Sequence, residues 1–372
     1  VAVSMNNPAY CGAQSSGTAT LKLPQPTAIT NTILTSWTKG EVLLKNFMNM
    51  YNANVLYDAA DTSFPYKMWF FGWRATVCNP PYSGCDAIFF ARSSNSNQWQ
   101  VYSGGTSFDS TMNPSKWVPV ITAQNKYYDQ WHNGDPSVVK VGGTYYIAYS
   151  ATGFDKDGID AGQPGDTDGA FNNIMGAASL DGITWQKRSS PLLAAPTEYG
   201  SADNGQNRMY HRPSLMYENG KFRLWFDHWD TAHGLSMGYA ELSMPNPSSA
   251  AFLNAAWTPL YIGSQSLIYQ FPNPAVIHIG NTYYAYADTP QYYDAGSGGE
   301  WTARKITEAT SPDGINWTVR GYINPESGCA ADHVPEPYYV GDGKIYLTYG
   351  CQKGGTPYDY TYKEIRRMWR PL

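Results

Sequence analysis

The chain has 372 residues, a net charge of −5 and only 15% charged residues, beside 15% aromatic residues that include 30 Tyr and 13 Trp. This composition excludes a disordered chain, which needs high charge and few aromatics, and it argues against long helices. It shows no basic stripe of the kind that binds nucleic acid, and no apolar run near the roughly 18 residues that span a membrane. We therefore expect a globular protein of short strands and turns, with no nucleic-acid or membrane partner.

One pattern recurs five times along the chain: a short apolar strand, a tight turn and a second apolar strand. The first copy covers residues 53–72, and the others begin at residues 135, 212, 273 and 336. Turns such as Asn219-Gly220 and Asp342-Gly343 between alternating apolar runs are strong hairpin signals. The last four copies begin with an X-Pro pair, which the first copy lacks.

A second pattern follows the hairpins and adds two strands to each. Ser179-Leu-Asp-Gly-Ile-Thr-Trp185 and Ser311-Pro-Asp-Gly-Ile-Asn-Trp317 are near copies, and looser versions end at Trp99 and Trp257. Four antiparallel strands in each repeat make a propeller blade. The sequence thus predicts an all-β fold, a five-bladed β-propeller with four-stranded antiparallel blades around a central channel. A sandwich of hairpins is the alternative.

The repeats leave no room for a second domain, so we expect residues 1–372 to form a single catalytic propeller. Its blades are predicted to start near residues 53, 135, 212, 273 and 336. Residues 1–43 and 351–372 lie outside the repeats, and one of these segments should supply the outer strand that closes the ring. The sequence does not indicate which one.

The five cysteines favour an oxidising compartment. Cys78 and Cys85 bracket a short turn, Cys329 and Cys351 flank a strand pair, and Cys11 is left over. We expect two disulfides, with five ordinary thiols as the alternative. A first residue other than Met fits a processed chain. The sequence therefore predicts a secreted protein, and the lack of an exposed apolar stripe predicts a monomer.

The residue that opens the first strand of each blade is expected at one mouth of the channel. Unpaired charges are costly where water is partly excluded, so a mixed-charge ring there indicates function. Read at that position, the repeats give Ala53, Asp135, Arg212, Asn273 and Glu336. The second strands return to the same mouth and give Gly72, Ser150, Asp227, Asp288 and Gly350.

Histidine and tryptophan side chains cluster at the same strand ends. Sugars stack on aromatic faces, so polar groups among such rings predict a glycan site. These residues are His132, His211, His228, His333, Trp131 and Trp229.

Two carboxyl groups that face each other across a cleft can hydrolyse a glycosidic bond, one as acid and the other as base or nucleophile. The structural alternative is that the acids cap turns and that Arg212 bridges Asp135 across the channel. The catalytic candidates are Asp135, Glu336, Asp227 and Asp288. The candidates for substrate binding are Arg212, Asn273, His132, His211, His228, His333, Trp131 and Trp229.

An acidic, glycine-rich loop lies at residues 153–168. Spaced carboxylates of this kind can bind Ca²⁺, but the loop lacks the Glu that ends an EF-hand loop, so we interpret it as a solvated rim. We expect no required cofactor and no metal in the site; the alternatives are Ca²⁺ on this loop or an ion held by the histidines. The acidic residues of the loop are Asp155, Asp157, Asp160, Asp166 and Asp168.

Two motifs give the chain a family resemblance: His132-Asn-Gly-Asp135-Pro-Ser-Val-Val-Lys-Val-Gly-Gly-Thr-Tyr-Tyr and the Ser-x-Asp-Gly-x-x-Trp turns. Over residues 44–350 it resembles the five-bladed propeller glycoside hydrolases. These include the family 43 arabinanases, arabinofuranosidases and xylosidases, and related families that act on fructans. The resemblance implies that Asp135 is the base or nucleophile and that Glu336 is the general acid.

The chain departs from that family pattern in the two blades after Asp135. The family places the base, a tuning aspartate and the acid on three consecutive blades, whereas here the next blades open with Arg212 and Asn273. The tuning carboxylate would then be Asp227 or Asp288, or the roles of the acids would be exchanged.

The sequence thus predicts a secreted glycoside hydrolase that cleaves a plant or microbial polysaccharide or oligosaccharide with a carboxylate pair at the channel mouth. A polysaccharide lyase is one alternative, with His or Tyr as base and acid and Arg212 neutralising a uronate. A lectin-like binder is the other. It would carry similar pockets in several blades, yet the five ring positions differ in type.

Overall fold

The computed structural model describes residues 27–28, 30–73, 86–123, 128–129, 132–153, 171–194, 210–230, 234–262, 265–289, 305–329, 331–352 and 362–372. Its regular structure is almost entirely β-strand. Among these residues the helices are a 3-10 turn at Pro114–Lys116 and α1 at Ser249–Asn254. Neither of them has the length and apolar character to cross a membrane.

The strands alternate along the chain with short turns, as the hairpin signals predict. In chain order they are β1 Thr38–Lys45, β2 Met48–Tyr57, β3 Tyr66–Trp73, β4 Asp86–Ser93, β5 Trp99–Gly104, β6 Ser107–Asp109, β7 Ile121–Thr122, β8 His132–Val141, β9 Thr144–Gly153, β10 Phe171–Ser179, β11 Gln186–Lys187, β12 Tyr210–Glu218, β13 Lys221–Asp230, β14 Gly234–Ser243, β15 Pro259–Tyr261, β16 Ala275–Ile279, β17 Thr282–Thr289, β18 Lys305–Ser311, β19 Thr318–Ile323, β20 Ala331–Tyr339, β21 Lys344–Gln352 and β22 Tyr362–Pro371.

These strands form five antiparallel sheets, numbered here as blades 1 to 5, and they confirm the predicted five-bladed propeller. Blade 1 is β2-β3-β4-β5, with β6 and β7 added at its outer side. Blade 2 is β8 to β11, blade 3 is β12 to β15, and blade 4 is β16 to β19. Blade 5 runs β20-β21-β22-β1 from the inside outward. That residues 1–372 make one domain stays a prediction.

Both ends of the described chain contribute to blade 5. β22 supplies its third strand, and β1 pairs antiparallel with β22, from Thr38 opposite Trp369 to Lys45 opposite Glu364. The outer strand therefore comes from the N-terminal side. This pairing joins the first and last parts of the propeller in one sheet.

The Ser-x-Asp-Gly-x-x-Trp turns fasten neighbouring blades to each other. In blade 2 the Ser179 hydroxyl accepts a hydrogen bond from the Gly182 amide at 2.9 Å. The Gly182 carbonyl accepts one from the Trp69 indole of blade 1 at 2.8 Å. The Gly314 carbonyl of blade 4 does the same for Trp225 of blade 3, at 2.9 Å. A glycine is needed because its φ is positive and a Cβ would meet the neighbouring tryptophan.

One predicted disulfide, Cys329–Cys351, is present and joins the segment before β20 to β21. Its Cα atoms lie 5.4 Å apart, and both cysteines are buried. The other proposed pair, Cys78 and Cys85, lies outside the described residues, as does Cys11.

Replacing Cys329 and Cys351 together by Ser should lower the free energy of unfolding by about 3 kcal/mol. The reason is the entropy that a loop spanning 22 positions regains in the unfolded chain. Urea denaturation of the double variant measures the loss, and the wild type in reductant should show a matching one. A loss below about 1 kcal/mol would contradict a stabilising role.

Asp332, near the start of β20, is a buried acid with an unusual environment. It has no solvent exposure, and neither carboxylate oxygen has a hydrogen-bond partner of normal geometry among the described residues. Burial raises the pKa of Asp332 to about 7, against the opposing charge of Lys39. The carboxyl group is therefore partly protonated in the folded protein at neutral pH.

The contribution of Asp332 to stability should fall as the pH rises from about 4 to about 7. An unfolded Asp ionises near about 3.9, whereas the folded one holds its proton to about 7, so deprotonation over this window favours the unfolded state. Asp332→Asn should therefore melt higher than the wild type at pH 8 and at an equal temperature at pH 4. Equal melting temperatures at both pH values would contradict the expectation.

Candidate active site

Each first strand contains, or in blade 4 is closely preceded by, an irregular residue near the mouth of the channel, with φ in the left-handed region. The ladder register shifts at this point in blades 1, 2, 3 and 5. Non-glycine residues adopt this conformation only when their surroundings enforce it, β-branched Val least of all. These positions therefore form one equivalent set, called the ring below. The ring residues are Asn52, Asp135, Arg212, Asn273 and Val334, with φ of 43°, 47°, 48°, 53° and 45°.

The predicted ring was wrong at two of its five positions. In blade 1 the ring residue is Asn52, one before the predicted Ala53. In blade 5 it is Val334, because the proline that follows the bulge is Pro335 and the register shift lies between His333 and Glu336. Glu336 therefore sits two residues further along β20, on the same face of the strand and deeper in the channel.

Side chains of the second strand in blades 2 and 3 accept a hydrogen bond from the backbone of the ring residue in the next blade. The Ser150 hydroxyl accepts a hydrogen bond from the Arg212 amide at 2.7 Å, and the Asp227 carboxylate accepts one from the Asn273 amide at 2.7 Å. Asp227 of blade 3 thus holds the ring residue of the next blade by the same hydrogen bond that Ser150 makes from blade 2. The equivalent second-strand positions are Phe71, Ser150, Asp227, Asp288 and Gly350, so blade 1 presents Phe71 and not the predicted Gly72.

Asp135 lies at the centre of a group of basic side chains. Its Oδ2 atom is 3.7 Å from His132 Nε2, 3.8 Å from His211 Nδ1 and 3.9 Å from Arg212 Nε. Burial alone would raise the pKa of Asp135, but His132, His211 and Arg212 outweigh it and hold the pKa below its ordinary value. Neither carboxylate oxygen has a hydrogen-bond partner among the described residues. The group is therefore an ionised carboxylate with free acceptor sites.

Arg212 joins Asp135 to a second acid. Its Nη1 atom lies 3.4 Å from Asp227 Oδ2. Burial raises the pKa of Asp227 to about 8, although Arg212 opposes the shift. Burial acts to lower the pKa of Arg212, but Asp135 and Asp227 raise it above the usual range, so the guanidinium stays charged.

Two carboxylate–imidazole pairs flank this centre. His132 Nδ1 hydrogen-bonds Asp86 of blade 1, and His333 Nδ1 lies 2.5 Å from Asp288. Asn273 also donates its side-chain amide to Asp288. Asp86 opens β4 and was not predicted, since no motif surrounds it.

The histidines differ in charge. Burial alone would lower the pKa of His132, but Asp86 and Asp135 raise it to about 9. Burial lowers the pKa of His211 well below its usual value, with Asp135 opposing and Arg212 adding to the shift. His132 is therefore an imidazolium at neutral pH, and His211 is a neutral imidazole.

Glu336 crosses the junction between blades 5 and 1. Its Oε1 accepts from the Asn52 amide at 3.3 Å and its Oε2 from the Asn54 amide at 3.2 Å. Its counterparts Ser137 and Ser214 accept backbone hydrogen bonds from the next blade. Burial raises the pKa of Glu336 to about 8, the Asn54 hydrogen bond opposes this, and the charge of Asp135 adds to it. Glu336 is thus protonated at neutral pH and coupled electrostatically to Asp135.

Three predicted binding residues are not placed at this centre. His228 is buried, and its ring hydrogen-bonds the Ser266 hydroxyl, since it points to the face of β13 opposite that of its neighbour Asp227. Trp131 and the Trp229 side chain lie outside the described residues, as does the acidic loop considered for Ca²⁺.

His132, Asp135 and His211 form the one group of described residues with metal-ligand spacing, their donor atoms lying within 4.8 Å of one another. Two imidazoles and a carboxylate suit a transition metal. The charges fit such an ion poorly, because the Arg212 guanidinium already faces the same Asp135 oxygen at 3.9 Å. We assign no metal to this group, and the predicted absence of a required cofactor stays a prediction.

The fold and this asymmetric polar mouth define the class: a five-bladed propeller in which the described residues bring acids, histidines and an arginine together in one cluster. No protein-family model matches the chain, and a search of curated proteins gives no match.

Several solved structures with the same fold are glycoside hydrolases. A family 117 glycoside hydrolase from the marine bacterium Zobellia galactanivorans superposes with a TM-score of 0.56 at 12% identity, over 90% of this chain and 89% of that one. A thermostable family-43 glycoside hydrolase gives 0.55 at 11%, over 88% and 91%. The catalytic domain of a GH62 α-L-arabinofuranosidase from Coprinopsis cinerea gives 0.54 at 12%, over 90% and 96%. At such identity the similarity establishes the fold alone.

Proposed function

We propose that this protein is a glycoside hydrolase in which Asp135 is the base or nucleophile and Glu336 the general acid. The observation that carries the proposal is the contrast between the surroundings of two buried carboxyl groups: Asp135 lies 3.7–3.9 Å from His132, His211 and Arg212, whereas the Glu336 oxygens accept hydrogen bonds from the amides of Asn52 and Asn54. These surroundings displace the two pKa values in opposite directions. Acid and base roles are assigned where the environments of two acids separate their pKa values in this way. Glycosidases need this pair, one carboxyl protonated and one ionised.

Asp135 has the properties of the ionised partner. Its charge is stabilised by nearby cations, yet both oxygens lack hydrogen-bond partners among the described residues. A water molecule or substrate that enters the site would therefore not have to displace a protein donor from the carboxylate.

Glu336 has the properties of the protonated partner. Its pKa near 8 keeps the proton available over the acidic and neutral range. The amides of Asn52 and Asn54 fix both of its oxygens, so the group is held in one orientation. Asp227 also has a raised pKa, but its oxygens serve the Asn273 amide and Arg212, which favours Glu336 as the acid.

The binding partner in this proposal is a polysaccharide or oligosaccharide of plant or microbial origin. Arg212, His211 and Asn273 line the same mouth and would position sugar hydroxyls. The disulfide Cys329–Cys351 is consistent with secretion, and we propose that the protein acts outside the cell as a monomer.

The test is product analysis by mass spectrometry after incubation with a panel of arabinan, arabinogalactan, xylan, fructan and uronic-acid glycans. The wild type should release products that have gained one water, and Glu336→Gln should not. Glu241→Gln, at the end of β14 remote from the mouth, is the matched control and should behave as the wild type. Release of nothing from any glycan, with binding retained, would replace the proposal by a lectin-like function.

A polysaccharide lyase is the second candidate, and the pairing of His211 with Arg212 favours it. A neutral imidazole can abstract a proton, and the adjacent guanidinium can neutralise a uronate carboxylate. Products from the uronic-acid glycans that absorb in the ultraviolet and contain no added water would establish the lyase and overturn the hydrolase.

A further inference from the structure

A row of three side chains crosses from blade 1 to blade 2 at the channel mouth: Asp86, His132 and Asp135. We propose that Asp86 and His132 are positioning residues that hold the Asp135 carboxylate ionised without occupying its oxygens with hydrogen bonds. The proposal rests on the hydrolase function above and adds two residues to its machinery.

The first link of the row fixes the imidazole. Asp86 is the first residue of β4 and His132 the first residue of β8. His132 Nδ1 is occupied by its hydrogen bond to Asp86. A proton on the other nitrogen, Nε2, then faces Asp135 Oδ2 across 3.7 Å. The ring orientation is therefore set by blade 1, and its charge is directed at blade 2.

The second link is an ion pair without a hydrogen bond. A separation of 3.7 Å stabilises the negative charge of Asp135 but is too long to occupy a lone pair. Both Asp135 oxygens accordingly lack partners among the described residues. A base needs this combination, since a carboxylate saturated with hydrogen bonds is a weaker acceptor for an incoming proton.

Packing clamps the ring of His132 in place. Phe71 lies on one side at a centroid distance of 5.5 Å and His211 on another at 5.3 Å. A Cβ atom on Gly134 would fall 2.7 Å from His132 Cε1 and 2.6 Å from Phe71. The glycine at this position is therefore required for the imidazole to sit where it does.

The charges around His132 agree with an imidazolium. Asp86 faces it from β4, Asp135 from β8, and neutral His211 from β12, with Arg212 beyond Asp135. Burial alone would lower the pKa of His132, but the two acids raise it to about 9. The positive charge is thus kept over the range in which Asp135 must stay ionised.

The experiment compares the pH dependence of kcat/KM for the wild type, His132→Gln and Asp86→Asn on the glycan that the panel identifies. Asp135 has no neighbouring imidazolium in either variant, so the acidic limb of the kcat/KM profile should move up by about one pH unit or more. kcat should fall by about 10-fold to 100-fold with KM little changed. Gly134→Ala removes no titratable group but displaces the ring, and it should lower kcat in the same way.

His278→Gln is the matched control, because His278 Nδ1 of blade 4 pairs with Glu218 of blade 3 at 2.9 Å, remote from the mouth. Its pH profile should match that of the wild type. The proposal would be overturned if His132→Gln lowered only the melting temperature and left the acidic limb of the kcat/KM profile where it is in the wild type. The row would then serve only to connect blades 1 and 2.

A measurement that needs no substrate separates this proposal from the proposed function. The ¹⁵N chemical shifts of the His132 ring should report an imidazolium at pH 7.5 in the wild type and a neutral ring in Asp86→Asn. If the protein hydrolysed no glycan but its His132 ring showed these two charge states, the proposed role of Asp86 would stand and the proposed hydrolase function would fail. If the His132 ring were neutral in a wild type that hydrolyses glycans, the positioning role of Asp86 and His132 would be overturned and the hydrolase function would stand.

Discussion

Asp135→Asn should lower kcat by about 10²-fold to 10⁴-fold, the range expected when a catalytic base is removed. Asparagine has nearly the same shape and also tolerates the left-handed conformation that residue 135 adopts, with φ of 47°. The bulge and the fold should therefore survive the change. The measurement is kcat on the best glycan of the panel, with the melting temperature recorded for each protein.

Asp342→Asn, in the exposed turn between β20 and β21, is the control for this substitution. It should leave kcat at the wild-type level. If Asp135→Asn kept more than about a tenth of the wild-type kcat, the catalytic base would lie elsewhere in the cluster.

Glu336→Gln should lose about 10²-fold to 10⁴-fold in kcat on a natural glycan, because the leaving oxygen no longer receives a proton. On an aryl glycoside with an acidic phenol as leaving group, protonation is not needed and the loss should shrink to about 10-fold or less. The two substrates compared under the same conditions give the measurement.

The pH profile provides a second check on Glu336. The wild-type rate should fall as the pH rises through about 8, since the acid then loses its proton, and the variant should lack this alkaline limb. An equal loss on both substrates, with the limb retained, would contradict the role of Glu336 as proton donor.

The sequence predicted the ring correctly at Asp135, Arg212 and Asn273, each of which stands directly before a proline. Blade 4 has a second X-Pro pair, ending in Pro272, and there the later pair contains the ring residue. In blade 5 two X-Pro pairs stand side by side, and the prediction used the second, so Glu336 was taken for Val334. Side chains in a strand alternate with a period of two, and a slip of two residues therefore preserves the inward face. Pattern reasoning cannot detect such an error.

Other parts of the site depend on contacts between distant segments. Asp86 and His132 are 46 positions apart and meet only because β4 and β8 lie in neighbouring blades. Asn52 and Asn54 reach Glu336 across the closure of the ring. The hairpin and turn motifs specify the blades, but they carry no information about which side chains meet across a blade junction.

The pairing of β1 with β22 has a consequence for synthesis in the cell. β1 leaves the ribosome long before β22, which is its strand partner among the residues that the structure describes. At ordinary rates of about 5–20 residues per second, β1 has to wait on the order of tens of seconds for that partner. During this interval its strand edge is unpaired, and unpaired edges promote association between nascent chains. Ring closure is then the natural final step of folding, and the step at which chaperones would matter most.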